Sequence, residues 1–144
     1  MKQLIAFDLD GTLAESKQPL SDEVAALLAR LLAVADAAII SGGDWPQFEK
    51  QIASGLPAGA ARERLWLMPT TGTKLYRFAD GAWRRAYADL FDADERAEIL
   101  AAFDRALADA GLADECIWGE RIEDRGSQIT FSGLGQQAPL DAKE

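Results

Sequence analysis

Three short apolar runs, Leu4-Ile5-Ala6-Phe7, Ala37-Ala38-Ile39-Ile40 and Leu65-Trp66-Leu67-Met68, punctuate the first half of the chain with no polar alternation inside them. Such runs predict strands covered on both faces, as parallel strands are. Between the first two, Ser21 reads as an N-cap with Asp22 and Glu23 in the first helical turn. Val24, Leu27, Leu28, Leu31 and Leu32 then recur at helical spacing, giving one apolar face that reaches Val34. Between the second and third, Trp45-Pro46 opens a helix bearing Phe48, Ile52 and Ala53, which Gly55 and Pro57 close. The order β-α-β-α-β implies an α/β fold built on a parallel sheet with right-handed crossovers.

After Gly72 the rhythm changes. Thr73 to Phe78 and Ala82 to Ala86 flank Asp80-Gly81, a strong hairpin signal. Asp92 with Glu95 three residues on reads as a capping box for a helix carrying Ile99, Leu100, Phe103, Leu107 and Ala110. Gly111 is the expected stop. Ile117 to Asp124 and Gln128 to Phe131 predict two strands joined at Arg125-Gly126-Ser127. The second half is therefore expected to be α+β with antiparallel pairing, the change of architecture falling near residues 72–82.

Composition narrows the chemistry. The 144 residues contain no histidine, which removes Ser-His-Asp triads, Cys-His dyads, His-ligated zinc and imidazole bases. One cysteine, Cys116, rules out an internal disulfide and is expected to be a small buried hydrophobe. With 24 acidic against 15 basic residues, the net charge of −9 argues against nucleic-acid or anionic-membrane surfaces. No run approaches the about 18 apolar residues of a membrane span. The start, MKQLIAFDLDG, turns acidic too soon for a signal peptide, so the expected location is the cytoplasm.

What remains is carboxylate, hydroxyl and backbone chemistry, and one loop concentrates it. Asp8-Leu9-Asp10-Gly11-Thr12 follows the first strand directly, at the carboxyl end where open parallel sheets bind ligands. Two carboxylates so close repel, and burying them without a cation would force one to protonate. Mg²⁺ relieves this, since it takes oxygen ligands and keeps water and phosphate in its shell. Gly11 lets backbone approach an anion closely, and the second strand ends in Ser41-Gly42, again a hydroxyl plus a glycine amide. Together these read as a phosphate-and-magnesium site with a carboxylate nucleophile, a form of covalent catalysis that needs no histidine. Competing readings are an Asp-Gly turn with solvated acids and a Ser41-Gly42-Gly43 segment that is only a flexible connection. A calcium loop counted from Asp8 is excluded, because its Gly and Glu positions hold Leu13 and Pro19.

Asp8-Leu9-Asp10-Gly11-Thr12 after one strand and Ile39-Ile40-Ser41-Gly42-Gly43 after the next resemble the haloacid dehalogenase (HAD) superfamily of phosphotransferases. The resemblance implies a Rossmannoid core, with residues 1–78 its N-terminal part and 79–144 a partial, inserted type-IIB α+β cap. Ile122 to Gly126 and Phe131 to Gly135 are similar to cap strands of eukaryotic-type phosphomannomutases, a cap that bacterial sugar-phosphate phosphatases share. On this resemblance Asp8 attacks phosphorus while its other oxygen binds Mg²⁺. Asp10 protonates the leaving oxygen, later deprotonates water, and gives its main-chain carbonyl to the metal. Gly11, Thr12, Ser41 and Gly42 contact phosphate, and Arg125 grips the substrate, a sugar phosphate or similar small metabolite. A second cap arginine is replaced by Gln136 after Gly135, which disfavours the mutase activity. The family's later lysine and acidic motifs do not occur before Glu144, so the reading frame is expected to continue. The alternative is an inactive fragment or a phosphate-binding module.

The remaining polar and aromatic residues carry plainer expectations. Lys74 and Lys143 are expected at the surface, and Asp92 and Asp94 at a helix start. Asp44 reads as a helix cap or a neighbour of the phosphate loop. Trp45, Trp66, Trp83 and Trp118 look too scattered for a stacking platform, and Arg62 and Arg64 have no evident partner.

Overall fold

The computed structural model describes residues 3–112, 117–139 and 142, so the expectations for Cys116 and Lys143 lie outside the described residues. The chain divides into two compact units, Met1–Asp89 and Leu90–Glu144. In the first, β1 (Leu4–Asp8), β2 (Asp36–Ile40) and β3 (Leu65–Met68) run parallel in that spatial order. β4 (Lys74–Ala79) and β5 (Ala82–Ala88) extend the same sheet antiparallel, so the sheet is mixed and the fold is α/β. Residue 78, where the sequence suggests a core–cap boundary, falls inside β4, and the units part at Asp89. A tight turn closes the hairpin, and pairing with β3 holds it on the sheet. Asp80 (φ 51°) and Gly81 (φ 76°) are both left-handed, as a two-residue turn with the twist of a hairpin requires. Trp66 and Leu67 of β3 pair with Arg77 and Tyr76 of β4.

α1 (Asp22–Leu32) starts as expected, with the Val24 amide donating to Ser21 Oγ at 3.3 Å. Its buried face of Ala25, Leu28 and Leu32 joins Leu9, Ile39, Phe48, Ile52, Leu65 and Leu67 in one core. β2 is covered on both faces through Ala37, Ala38 and Ile39. β1 is not: it lies at the sheet edge with one partner strand, and Leu4 is 50% exposed. The expected second helix is interrupted. α2 spans Trp45–Phe48 and then widens into a π-helical turn, Glu49–Ala53, closed by the Ser54 amide on Glu49 O at 3.0 Å.

In the second unit, α3 (Ala93–Asp109) opens on the full capping box. Asp92 Oδ1 accepts from the Asp94 and Glu95 amides at 2.9 and 2.8 Å, and Glu95 Oε2 accepts from the Asp92 amide at 3.0 Å. Asp92 is thus a cap and Asp94 a first-turn residue. Phe103 of α3 stacks on Phe131 with ring centroids 6.1 Å apart. β6 (Ile122–Asp124) and β7 (Ile129–Phe131) pair antiparallel. The longer strand expected from Ile117 does not form. The Trp118 amide instead donates to Leu134 O at 2.9 Å, and a Cβ at Gly135 (φ 91°) would lie 2.2 Å from Trp118 O. Only glycine allows that approach. No helix among the described residues is long and apolar enough to cross a membrane.

Candidate active site

Alternation along the extended chain turns Leu9 into the core, fully buried, and sends Asp8 and Asp10 the other way. The Leu9 carbonyl gathers the amides of Thr12, Leu13 and Ala14 at 3.2, 2.9 and 3.1 Å, and the Gly11 amide (φ 78°) donates to Ala14 O at 2.7 Å. Both the Gly11 and Thr12 amides are therefore engaged inside the loop. Asp8, the last residue of β1, is exposed, and its Oδ2 accepts from the Thr12 hydroxyl at 3.1 Å. Asp8 pairs in register with Ile40, so Ser41 follows on the adjacent strand at the same carboxyl edge. Ser41 is buried, and no hydrogen bond engages its hydroxyl among the described residues.

Asp10 is held far more tightly. Its Oδ1 accepts from the Lys17 amide at 2.9 Å and from Gln51 Nε2 at 3.1 Å, and its Oδ2 accepts from Gln47 Nε2 at 3.0 Å. Gln51 also donates to Gln18 O at 2.6 Å. That fixes the amide orientation, since the flipped amide would set its oxygen against two acceptors. Gln51 is fully buried, and its Oε1 has no hydrogen-bond partner among the described residues. An orphaned buried acceptor costs about 1–3 kcal/mol, so packing alone is a poor reason for a glutamine here. Sequence reading missed both glutamines. The available signal was a Gln47–Gln51 pair at helical spacing beside the buried Phe48–Ile52 pair.

The loop after β2 is clamped from the far side. Thr70 N donates to Gly43 O at 2.8 Å and Thr71 N to Ser41 O at 2.9 Å. Both threonines are left-handed (φ 51° and 59°), an outlying conformation for a β-branched residue. Asp44 fills both roles expected of it. It caps α2 by accepting from the Trp45 amide at 2.7 Å, and it lies beside the loop, where Oδ1 also takes Lys74 Nζ at 2.8 Å. The expectation of a surface Lys74 is corrected: it is 6% exposed, and the Asp44 carboxylate is the counter-charge that a buried ammonium needs.

Two of the four tryptophans, Trp45 and Trp83, come together in space. Trp45 stacks on Tyr76 at 3.9 Å and meets Trp83 at 6.2 Å, while the Arg77 guanidinium sits 3.9 Å over Trp66. Arg62 donates to Leu56 O at 2.8 Å, and Arg64 pairs with Asp36 at 2.8 Å. Burial pushes the Tyr76 phenol above its ordinary value; Arg85 opposes the shift and Asp44 adds to it. Burial thus favours the neutral phenol, a contribution complete below the ordinary tyrosine range and lost as pH rises through Tyr76's own pKa. Alkaline absorbance titration of Tyr87→Phe, which leaves Tyr76 alone, should show phenolate forming above that range. Ionisation within it would contradict the packing.

In the second unit, Arg125 Nη2 pairs with Glu123 at 2.7 Å and Nη1 donates to Gln128 Oε1 at 3.2 Å. Gln136 Nε2 donates to Thr130 Oγ1 at 3.3 Å. No cluster of three His, Cys, Asp or Glu side chains occurs among the described residues. The donors at the β1 edge are all oxygens, which suits a hard cation that completes its shell with water and phosphate.

This arrangement of strands and loops is the fold of the haloacid dehalogenase-like hydrolases. The chain is similar to an IMP-bound, N-terminally truncated IMP-nucleotidase of Plasmodium falciparum (15% identity, TM-score 0.62), covering 97% of this chain and 43% of that one. An ATP-bound form of the same nucleotidase gives 17% identity and TM-score 0.63, covering 88% and 34%. A haloacid dehalogenase-like hydrolase of B. subtilis gives 22% identity and TM-score 0.55, covering 73% and 34%. The chain thus spans less than half the length of these solved structures. No protein-family model and no curated protein matches the sequence.

Proposed function

We propose that the chain carries the nucleophile of a phosphomonoesterase that moves a phosphoryl group from a small phosphorylated metabolite to Asp8 and then to water. The observation that carries this reading is the exposed Asp8 carboxylate at the end of β1, in register with Ile40, the residue before the buried Ser41 in the loop that follows β2. The Asp8 carboxylate and the Asp10 main-chain carbonyl would hold Mg²⁺, which when bound neutralises phosphate charge.

In the first step an Asp8 oxygen bonds to phosphorus while the ester P–O bond breaks. The electron pair leaves with the ester oxygen, which takes its proton from Asp10. In the second, water bonds to phosphorus, its proton passes to Asp10, and the Asp8 carboxylate is released. Ser41 and the Gly42 amide hold phosphate oxygens, and Gly11 and Thr12 shape the loop beneath them. The second unit, Leu90–Glu144, acts as a cap, with Arg125 its substrate-binding residue and a cytoplasmic setting for the whole.

A sugar phosphate is the favoured substrate. The phosphomannomutase-like alternative would have the phosphate return to a sugar through the Arg125 grip, and it is weakened by Gln136. The test is release of inorganic phosphate from a panel of hexose phosphates and nucleoside monophosphates, with Mg²⁺ or with EDTA. Magnesium-dependent release is expected; phosphate moved between positions of a sugar without release would establish the mutase. No turnover in any arm would favour the inactive-fragment or binding-module reading.

A further inference from the structure

The geometry points to Gln47 and Gln51 as positioning residues that fix the Asp10 carboxylate so that Oδ2 is the oxygen carrying the transferred proton, an assignment that rests on the phosphatase reading above. An ionised carboxylate offers about four lone-pair sites, two on each oxygen. At Asp10, Oδ1 has both sites filled, by Lys17 N–H and Gln51 Nε2–H, while Oδ2 has one filled, by Gln47 Nε2–H. Among the described residues one site is left, and it is on Oδ2. Proton delivery to the ester oxygen, and its recovery from water, pass through that site, with Oδ1 tied to the protein throughout.

The structure shows how the pair is held. The π-helical turn from Glu49 to Ala53 carries Gln51, whose fully buried amide spends both hydrogens on Asp10 Oδ1 and Gln18 O. Turns of this kind are rare and recur at functional sites. Its orphaned Oε1 is tolerated only because the two donors face their acceptors. Gln47 reaches Oδ2 through a notch at Gly43, where an added Cβ would lie 2.3 Å from Gln47 Oε1 and 2.9 Å from Nε2. Gly43 is not left-handed, so its lack of a side chain serves this passage and not a backbone strain. The glycine after Ser41-Gly42 is thus coupled to Asp10 through a side chain.

The test separates proton delivery from folding by the leaving group. kcat/KM reads the steps through departure of the alcohol, and a nitrophenolate departs with little protonation, whereas a sugar alkoxide does not. Gly43→Ala pushes aside only the end of a flexible side chain, so it should fold normally while displacing Gln47; Gln51→Leu removes the other contact. Each should lower kcat/KM on a hexose 6-phosphate by about 10²-fold, the typical cost of a misplaced catalytic group. On 4-nitrophenyl phosphate the loss should be under about 5-fold. Equal losses on both esters would overturn the assignment. Independently of turnover, Asp10→Asn in the full chain should shift the side-chain amide resonances of both Gln47 and Gln51. Unmoved signals overturn the contact itself, whereas a wild-type chain inactive on both esters overturns the phosphatase reading and with it the proton role.

Discussion

Asp8→Asn is expected to abolish magnesium-dependent phosphate release, by at least about 10⁴-fold in kcat, because a carboxamide oxygen lacks the charge and the electron pair needed to bond phosphorus. The substitution is nearly isosteric. The amide oxygen can still accept from Thr12 Oγ1, and the side chain is exposed, so nothing in the core is disturbed. Thermal unfolding should therefore match the wild type, and the loss should fall on chemistry alone. A second readout is the acyl phosphate itself, which hydroxylamine cleaves: wild-type enzyme mixed with substrate should yield a hydroxamate at Asp8, and the variant none. Equal turnover by both proteins would remove Asp8 from the reaction and return the loop to the reading of solvated acids in a turn.

That prediction draws on what was legible in the sequence. Leu9 between two aspartates forces the carboxylates to one side because successive side chains alternate, and the unbroken apolar runs mark β1 and β2 as neighbouring parallel strands. Asp8 and Ser41 therefore come to neighbouring strand ends on local rules alone. Lys74 did not obey such a rule. Its burial depends on Asp44, thirty residues earlier, and nothing near Lys74 in the chain announces that partner. Gln47 and Gln51 were hidden for a related reason: neutral amides leave no charge pattern, and their meaning comes from an aspartate in another loop. The hairpin's place on the sheet was equally a tertiary choice, since Asp80-Gly81 specifies a turn but not which edge the strands join. The missing strand at 117–121 turns on one glycine, Gly135, whose bare Cα admits the Trp118 carbonyl.

The largest expected effect on stability is at Phe48. Its ring is fully buried in the core with Leu9, Ile39, Ile52, Leu65 and Leu67, where α2 passes into the π-helical turn. Phe48→Ala removes the ring and leaves a void that a close-packed surround fills only in part, so a loss of about 3–5 kcal/mol is expected. Against a total of about 5–15 kcal/mol for a domain of ordinary stability, that is a large share. Urea unfolding should show a much lower midpoint, while Lys50→Ala, two residues on and exposed, should stay within about 0.5 kcal/mol of the wild type. The site should suffer as well. Phe48 anchors the segment that carries Gln47 on one side and Gln51 on the other, so its loss should weaken both hydrogen bonds to Asp10 even where the variant remains folded. A Phe48→Ala protein that loses less than about 1 kcal/mol would mean that the ring is not packed as described. The placement of both glutamines would then lose its structural support.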